Sequence, residues 1–131
     1  MSIFNYTTLS QNQKVIQKQC HDKGYFLIED IPGFRDTYDA FLAQAQKFIA
    51  LPHATKMKYS PDNSYELGWS YGIERFSGVL DSFKGSYFGE FAGDDMDKNI
   101  WPIQELPEFQ STYLALAELI YVWGNKSHIQ V

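Results

Sequence analysis

Gly24-Tyr-Phe-Leu-Ile-Glu-Asp30 runs into a Pro32-Gly33 turn, a helical run to Leu51, then Pro52 and the tail Lys56-Met-Lys-Tyr59. The first segment is short, aromatic and branched, which suits a strand over Tyr25 to Ile31. In the second, Phe34, Tyr38, Phe41, Leu42, Ala45, Phe48 and Ile49 recur at helical spacing and mark one wide apolar stripe. Pro52 stops that helix by disfavouring the α region at Leu51. A strand feeding an amphipathic helix is a unit with a core to build, and the flanking segments read as layers around it.

Upstream, Ser10 with Gln13 three residues later has the form of a capping box, predicting a helix to Lys23 that ends at Gly24. Its apolar side is thin, with Val15, Ile16 and Cys20. Downstream, His53 to Lys58 reads as a short helical turn and Ser60-Pro-Asp-Asn-Ser64 as a loop. From Tyr65 to Phe91, glycines at 68, 72, 78, 85 and 89 punctuate the aromatics, predicting short bent strands. Pro107 suits the first position of a last helix, and Glu108 its positive end. Phe109, Tyr113, Leu116, Ile120 and Trp123 form its stripe, but Leu114, Leu119, Tyr121 and Val122 are apolar on other faces. Such a helix asks to be covered all round, and the eight residues after it are polar or irregular.

Composition narrows the function. The chain has 131 residues, a single domain (residues 1–131) by size, long enough to bury a core without metal or disulfide support. Its net charge of −5 and scattered basic residues lack the basic stripe of a nucleic-acid binder. One cysteine, Cys20, excludes an internal disulfide and fits a reducing cytoplasm. The first residues lack the pattern of a signal peptide, and no apolar run reaches membrane-spanning length. The expectation is a soluble, cytoplasmic protein with neither nucleic acid nor membrane as partner.

Chemistry-bearing patterns are sparse. His21, His53 and His128 stand in no His-x-Asp or His-x-Glu pair, and with one cysteine no zinc set forms. Each is read as a surface residue. Cys20 and His21 are adjacent on a helix and point about 100° apart, which excludes a dyad. Gly124-Asn-Lys-Ser127 follows a helix and lacks the phosphate-loop glycine. Glu66, Glu74, Asp81 and Glu90 read as solvated carboxylates. No catalytic, cofactor-binding or metal-ligating residue is assigned. The aromatic–glycine region has two readings. Trp69, Tyr71, Phe76, Phe83, Tyr87, Phe88 and Phe91 either pack inside, or line an organic-ligand pocket with Arg75 and Lys84 as cationic anchors.

Taken in order, Gly24-Tyr-Phe26, Phe48-Ile-Ala-Leu-Pro52 with Lys56-Met-Lys-Tyr59, Gly68-Trp-Ser-Tyr-Gly72, Asp81-Ser-Phe-Lys-Gly-Ser-Tyr-Phe88, Asn99-Ile-Trp-Pro102 and Leu106-Pro-Glu-Phe109 resemble the N-terminal region of the iron(II)/2-oxoglutarate-dependent dioxygenases, in the isopenicillin N synthase-like branch. The resemblance covers roughly residues 9 to 121. It implies an α+β fold, three main helices with a few short strands, forming the cap that packs on a double-stranded β-helix (jelly-roll) core. It also implies that a full-length relative uses Fe(II) and 2-oxoglutarate to oxidise a small organic substrate. Trp69, Tyr71, Arg75 and Tyr87 are the candidate substrate-facing residues. Two departures stand out. Asp30-Ile-Pro-Gly33 replaces the family's Asn-His-Gly turn. The jelly roll that carries the His-x-Asp, the distal His and the Arg-x-Ser is expected to be absent, since Arg75-Phe-Ser77 lies too far upstream to be that motif. The chain alone is therefore expected to be a truncated, inactive module holding no cofactor. Its partners would be the missing jelly-roll core, a second copy, or another protein docking on the apolar C-terminal helix. The alternative reading is a stand-alone interaction module.

Overall fold

The computed structural model describes residues 3–61, 67–72 and 74–126, with Asn125 and Lys126 described in backbone only. The expectations at Glu66, His128 and most of the 60–64 loop lie outside the described residues. The architecture is α+β: strand β1 (Ile3–Asn5), a 3-10 turn (Tyr6–Gln11), helix α1 (Gln13–Lys23), β2 (Leu27–Glu29), α2 (Phe34–Ala50), α3 (His53–Met57), β3 (Gly68–Tyr71), β4 (Arg75–Phe76), β5 (Val79–Leu80), β6 (Gly85–Phe88), a second 3-10 turn (Met96–Lys98) and α4 (Phe109–Lys126). No helix among the described residues is long and apolar enough to cross a membrane. The chain packs as two compact units. One comprises the residues up to Tyr38 and those from Ala115 on; the other is Asp39–Leu114.

In the first unit β1 and β2 pair in parallel, Ile3 with Leu27, Phe4 with Ile28 and Asn5 with Glu29. The sequence reading extended this strand over Tyr25 to Ile31. It is shorter because β1 offers only three residues of ladder, a strand that the reading did not anticipate. The helix start also moves. Ser10 lies inside the 3-10 turn, and α1 begins at Gln13 after Asn12. Asn5 caps the 3-10 turn, accepting from the Thr7 amide at 3.0 Å and donating to the Asp30 carboxylate at 2.6 Å, while α1 has no side-chain cap. Asparagine caps as well as serine, so the earlier residue captures the turn. Gly24 ends α1 as expected, left-handed at φ 77°, its amide bonded to the Cys20 carbonyl at 2.8 Å. Phe4, Leu9 and Ile16 form this unit's core, with Tyr6, Cys20, Phe26 and Ile28 packed against it. Val15 lies outside it and is exposed.

In the second unit Phe48, Tyr59, Trp69, Leu106 and Phe109 are the buried centre. Of the stripe predicted for α2, only Phe41 and Phe48 point into this core; Phe34, Tyr38, Leu42 and Ile49 are exposed. The buried row runs through Phe41, Gln44 and Phe48, narrower than the sequence stripe. Gln44 is tolerated there because its amide donates to the Glu108 carboxylate at 2.8 Å. Helix α4 begins at Phe109, two residues after Pro107, because the preceding segment is wound into turns. The Leu106 amide bonds to the Pro102 carbonyl at 2.7 Å, and the Phe109 amide to the Leu106 carbonyl at 3.0 Å. Along α4, Phe109 and Leu116 are buried, Leu119 and Val122 are half-buried, and Ile120 and Tyr121 are exposed.

Candidate functional site

The aromatic residues singled out from sequence converge on β3 and β6, which pair antiparallel with Trp69 opposite Tyr87 and Tyr71 opposite Gly85. The two-residue period of a strand places Trp69 and Tyr71 on one face, and their rings stack at 6.2 Å with planes 8° apart. Gly85 sits beneath the indole. A Cβ there would come within 2.5 Å of Trp69 Cζ2, so the sheet admits only glycine at that place. Trp69 meets Phe48 edge-on at 5.3 Å. Tyr87 meets Phe48 at 5.1 Å, Phe109 at 4.9 Å and Trp101 at 6.2 Å.

The four candidate residues therefore divide. Trp69 is buried in the core, with its Nε1 buried and unpaired among the described residues. Tyr87 and Tyr71 are half-buried at its margin. Arg75 lies on the exposed β4–β5 hairpin, where its guanidinium donates to the Gly78 carbonyl at 3.0 Å. That hairpin turns through Ser77 and Gly78, both at positive φ, as a two-residue loop matching strand twist requires. Lys84, the second cation of the pocket reading, pairs with Glu74 at 2.7 Å. Phe76 and Phe83 are exposed, Phe83 fully. Two concavities, of about 200 Å³ along Val15, Gln19 and Asp22 and about 450 Å³ along Tyr6, Leu9 and Ser10, lie in the first unit and include none of these residues.

Sequence reasoning missed one polar grouping in this cluster. The Tyr59 hydroxyl donates to the Glu105 carboxylate, whose other oxygen lies 3.6 Å from Lys58 Nζ. Burial first, then the carboxylate, pushes the Tyr59 phenol up to about 12. The Tyr59 hydrogen bond, with Lys58 assisting, holds Glu105 below the usual carboxylate range. Burial also raises Tyr87, whose hydroxyl donates to the Ile100 carbonyl, and Tyr113, whose hydroxyl donates to the Gly89 carbonyl at 2.9 Å. No sequence signal pairs Tyr59 with Glu105, because the two lie 46 residues apart.

These shifts fix a pH profile. A depressed Glu105 contributes stability above its unperturbed value of 4.5, lost as pH falls through its lower folded value. A raised Tyr59 contributes stability below 10.0, lost as pH climbs from there toward about 12. The urea midpoint should be flat near neutrality and fall at both ends. Tyr59→Phe should blunt both losses; a profile unchanged by that substitution contradicts the pairing.

Among the described residues no three His, Cys, Asp or Glu side chains gather as metal ligands. His21 hydrogen-bonds to Asp22 at 3.1 Å on an exposed helical face, and His53 packs edge-on against Tyr71 at 5.2 Å. The described residues do not fit a facial iron site.

The family profile described as the N-terminal region of a non-haem dioxygenase in morphine synthesis matches residues 3–107. The chain belongs to the non-haem dioxygenase N-terminal family. No curated protein and no solved structure matches it. In this dioxygenase N-terminal domain the match takes in every strand, α1 to α3 and the Tyr59–Glu105 pair, and stops short of α4. The morphine chemistry in the description labels the family; no substrate follows from it for this chain.

Proposed function

We propose that this dioxygenase N-terminal domain serves an Fe(II)/2-oxoglutarate-dependent oxygenase of a small organic substrate, in the cytoplasm, and is inactive alone. The observation that carries this reading is the family match over residues 3–107. Metal and co-substrate ligands would come from a jelly-roll core packed against the domain, with Trp69, Tyr71, Arg75 and Tyr87 toward the substrate side. When bound, iron and 2-oxoglutarate would supply the oxidising chemistry. The domain's own contribution is a wall, rigid at Trp69 and Tyr87 and presenting Tyr71 and the β4–β5 hairpin outward. Anaerobic calorimetric titration of the isolated chain with Fe(II) and 2-oxoglutarate should show no saturable heat. Micromolar binding of both would overturn the claim of inactivity.

A second reading has its own observation. Ile120 on α4 is 55% exposed, which suits a stand-alone interaction module or self-association through that helix. Light scattering after size exclusion separates the two: a monomer that binds no apolar dye excludes self-association.

A further inference from the structure

Among the described residues, four phenols lie in or against the core of the second unit, and their hydroxyls have different acceptors. Tyr71, Tyr87 and Tyr113 donate to the peptide carbonyls of Ser82, Ile100 and Gly89. Tyr59 donates to a carboxylate, Glu105. This difference decides which phenol can take part in one-electron chemistry. A phenol becomes strongly acidic when it loses an electron, so the loss is fastest where a base accepts the proton in the same event. An ionised carboxylate at hydrogen-bond distance is such a base, and a peptide carbonyl is not.

We propose that Tyr59 and Glu105 form a redox-active tyrosine site, which donates one electron to a strong one-electron oxidant of the organic peroxyl or photogenerated ruthenium(III) class. The electron passes from the phenol to the oxidant, which is reduced by one. The phenolic proton passes to Glu105 Oε2, so one O–H bond breaks as another forms. The products are a neutral tyrosyl radical and a carboxylic acid hydrogen-bonded to it, and a one-electron reductant such as ascorbate reverses both transfers. Lys58 at 3.6 Å and Tyr59 itself are the groups that face the carboxylate and keep it ionised before the event.

The surrounding rings make Tyr59 a destination rather than an isolated donor. Trp101 lies 5.1 Å from Tyr113 and stacks with Tyr87 at 6.2 Å, planes 14° apart. Phe48 bridges from Tyr87 at 5.1 Å to Tyr59 at 6.5 Å. An electron vacancy formed on Trp101, Tyr87 or Tyr113 meets no hydrogen-bonded carboxylate there among the described residues, and has short ring-to-ring steps to Tyr59, which has one. The site depends only on this unit's own residues, so it stands or falls separately from the oxygenase reading.

The test is flash oxidation of the 131-residue chain with ruthenium tris(bipyridine) and persulfate, followed by transient absorption and freeze-quench electron paramagnetic resonance. A tyrosyl radical should form, vanish in Tyr59→Phe, and form more slowly in deuterated water. In Glu105→Gln, which keeps an acceptor but removes the base, its formation should slow about a hundredfold, at the low end of what a positioned base contributes. A radical that survives Tyr59→Phe, one confined to exposed phenols such as Tyr38, or an unchanged rate in Glu105→Gln each overturns the proposal. Should Tyr59→Phe fail to fold, Glu105→Gln, with its fold checked by circular dichroism, decides alone.

Discussion

Phe48→Ala should lower the unfolding free energy by about 3–5 kcal/mol, the cost of emptying a phenylalanine-sized volume from a packed interior. Phe48 is 2% exposed and is the ring that the others share, with Tyr59, Trp69, Tyr87 and Phe109 all packed on it. These neighbours cannot collapse into the space freely. Trp69 is seated over Gly85, and Tyr59 and Tyr87 are tied by hydroxyl hydrogen bonds to Glu105 and Ile100. Against a domain stability of about 5–15 kcal/mol, the loss leaves little margin. Ile49→Ala is the control, since Ile49, the next residue in sequence, is 64% exposed and its truncation should shift stability by no more than about 0.5 kcal/mol. Urea titration followed by tryptophan fluorescence reads both. Equal losses in the two variants would mean that α2 turns a different face inward.

That contrast also shows what the sequence could and could not convey. Apolar spacing placed α2 within one residue of its observed end, because periodicity and Pro52 are local signals. It could not say which half of a stripe wider than one helical face would be covered. The buried row passes through Gln44, a polar residue whose acceptance depends on Glu108, 64 residues away. Gly24 was legible as a helix end because only a left-handed residue serves there. The start of α1 was not, since a 3-10 turn capped by Asn5 takes in Ser10, and α1 begins after Asn12 with no side-chain cap. The aromatic–glycine pattern gave β3 to β6 as short strands. Which rings go inside was decided by register: Trp69 and Tyr87 are cross-strand partners, while Phe76 and Phe83 lie on or beyond a hairpin and are exposed. Arg75 looked like an anchor in sequence and turned out to brace its own turn. The family resemblance rested on order and spacing along the chain, signals that survive when no single motif is strong. The Tyr59–Glu105 pair had no such signal, as its two halves belong to different motifs.

Gly68→Ala should cost about 2–5 kcal/mol, and it tests how closely the chain passes itself at the start of β3. Gly68 has φ 76°, where any L side chain is strained by about 1–2 kcal/mol. A Cβ there would also be driven into the Tyr59 carbonyl oxygen, with Ile100 Cβ and Cδ1 at 3.3 Å on the other side. Neither neighbour yields easily. The Tyr59 carbonyl already accepts the Trp69 amide at 2.8 Å, and Ser60 adds a bond from its hydroxyl to the Trp69 carbonyl at 2.7 Å. Backbone displacement in a filled interior adds about 1–3 kcal/mol to the torsional strain. Gly24→Ala separates the two contributions: its φ is 77°, almost the same, but nothing lies within 4 Å of the added carbon. It should lose only the torsional part, about 1–2 kcal/mol. The difference between the variants then measures the close approach alone. Equal losses would show that the Tyr59 turn gives way, and a turn that gives way would not hold the Tyr59 phenol against Glu105.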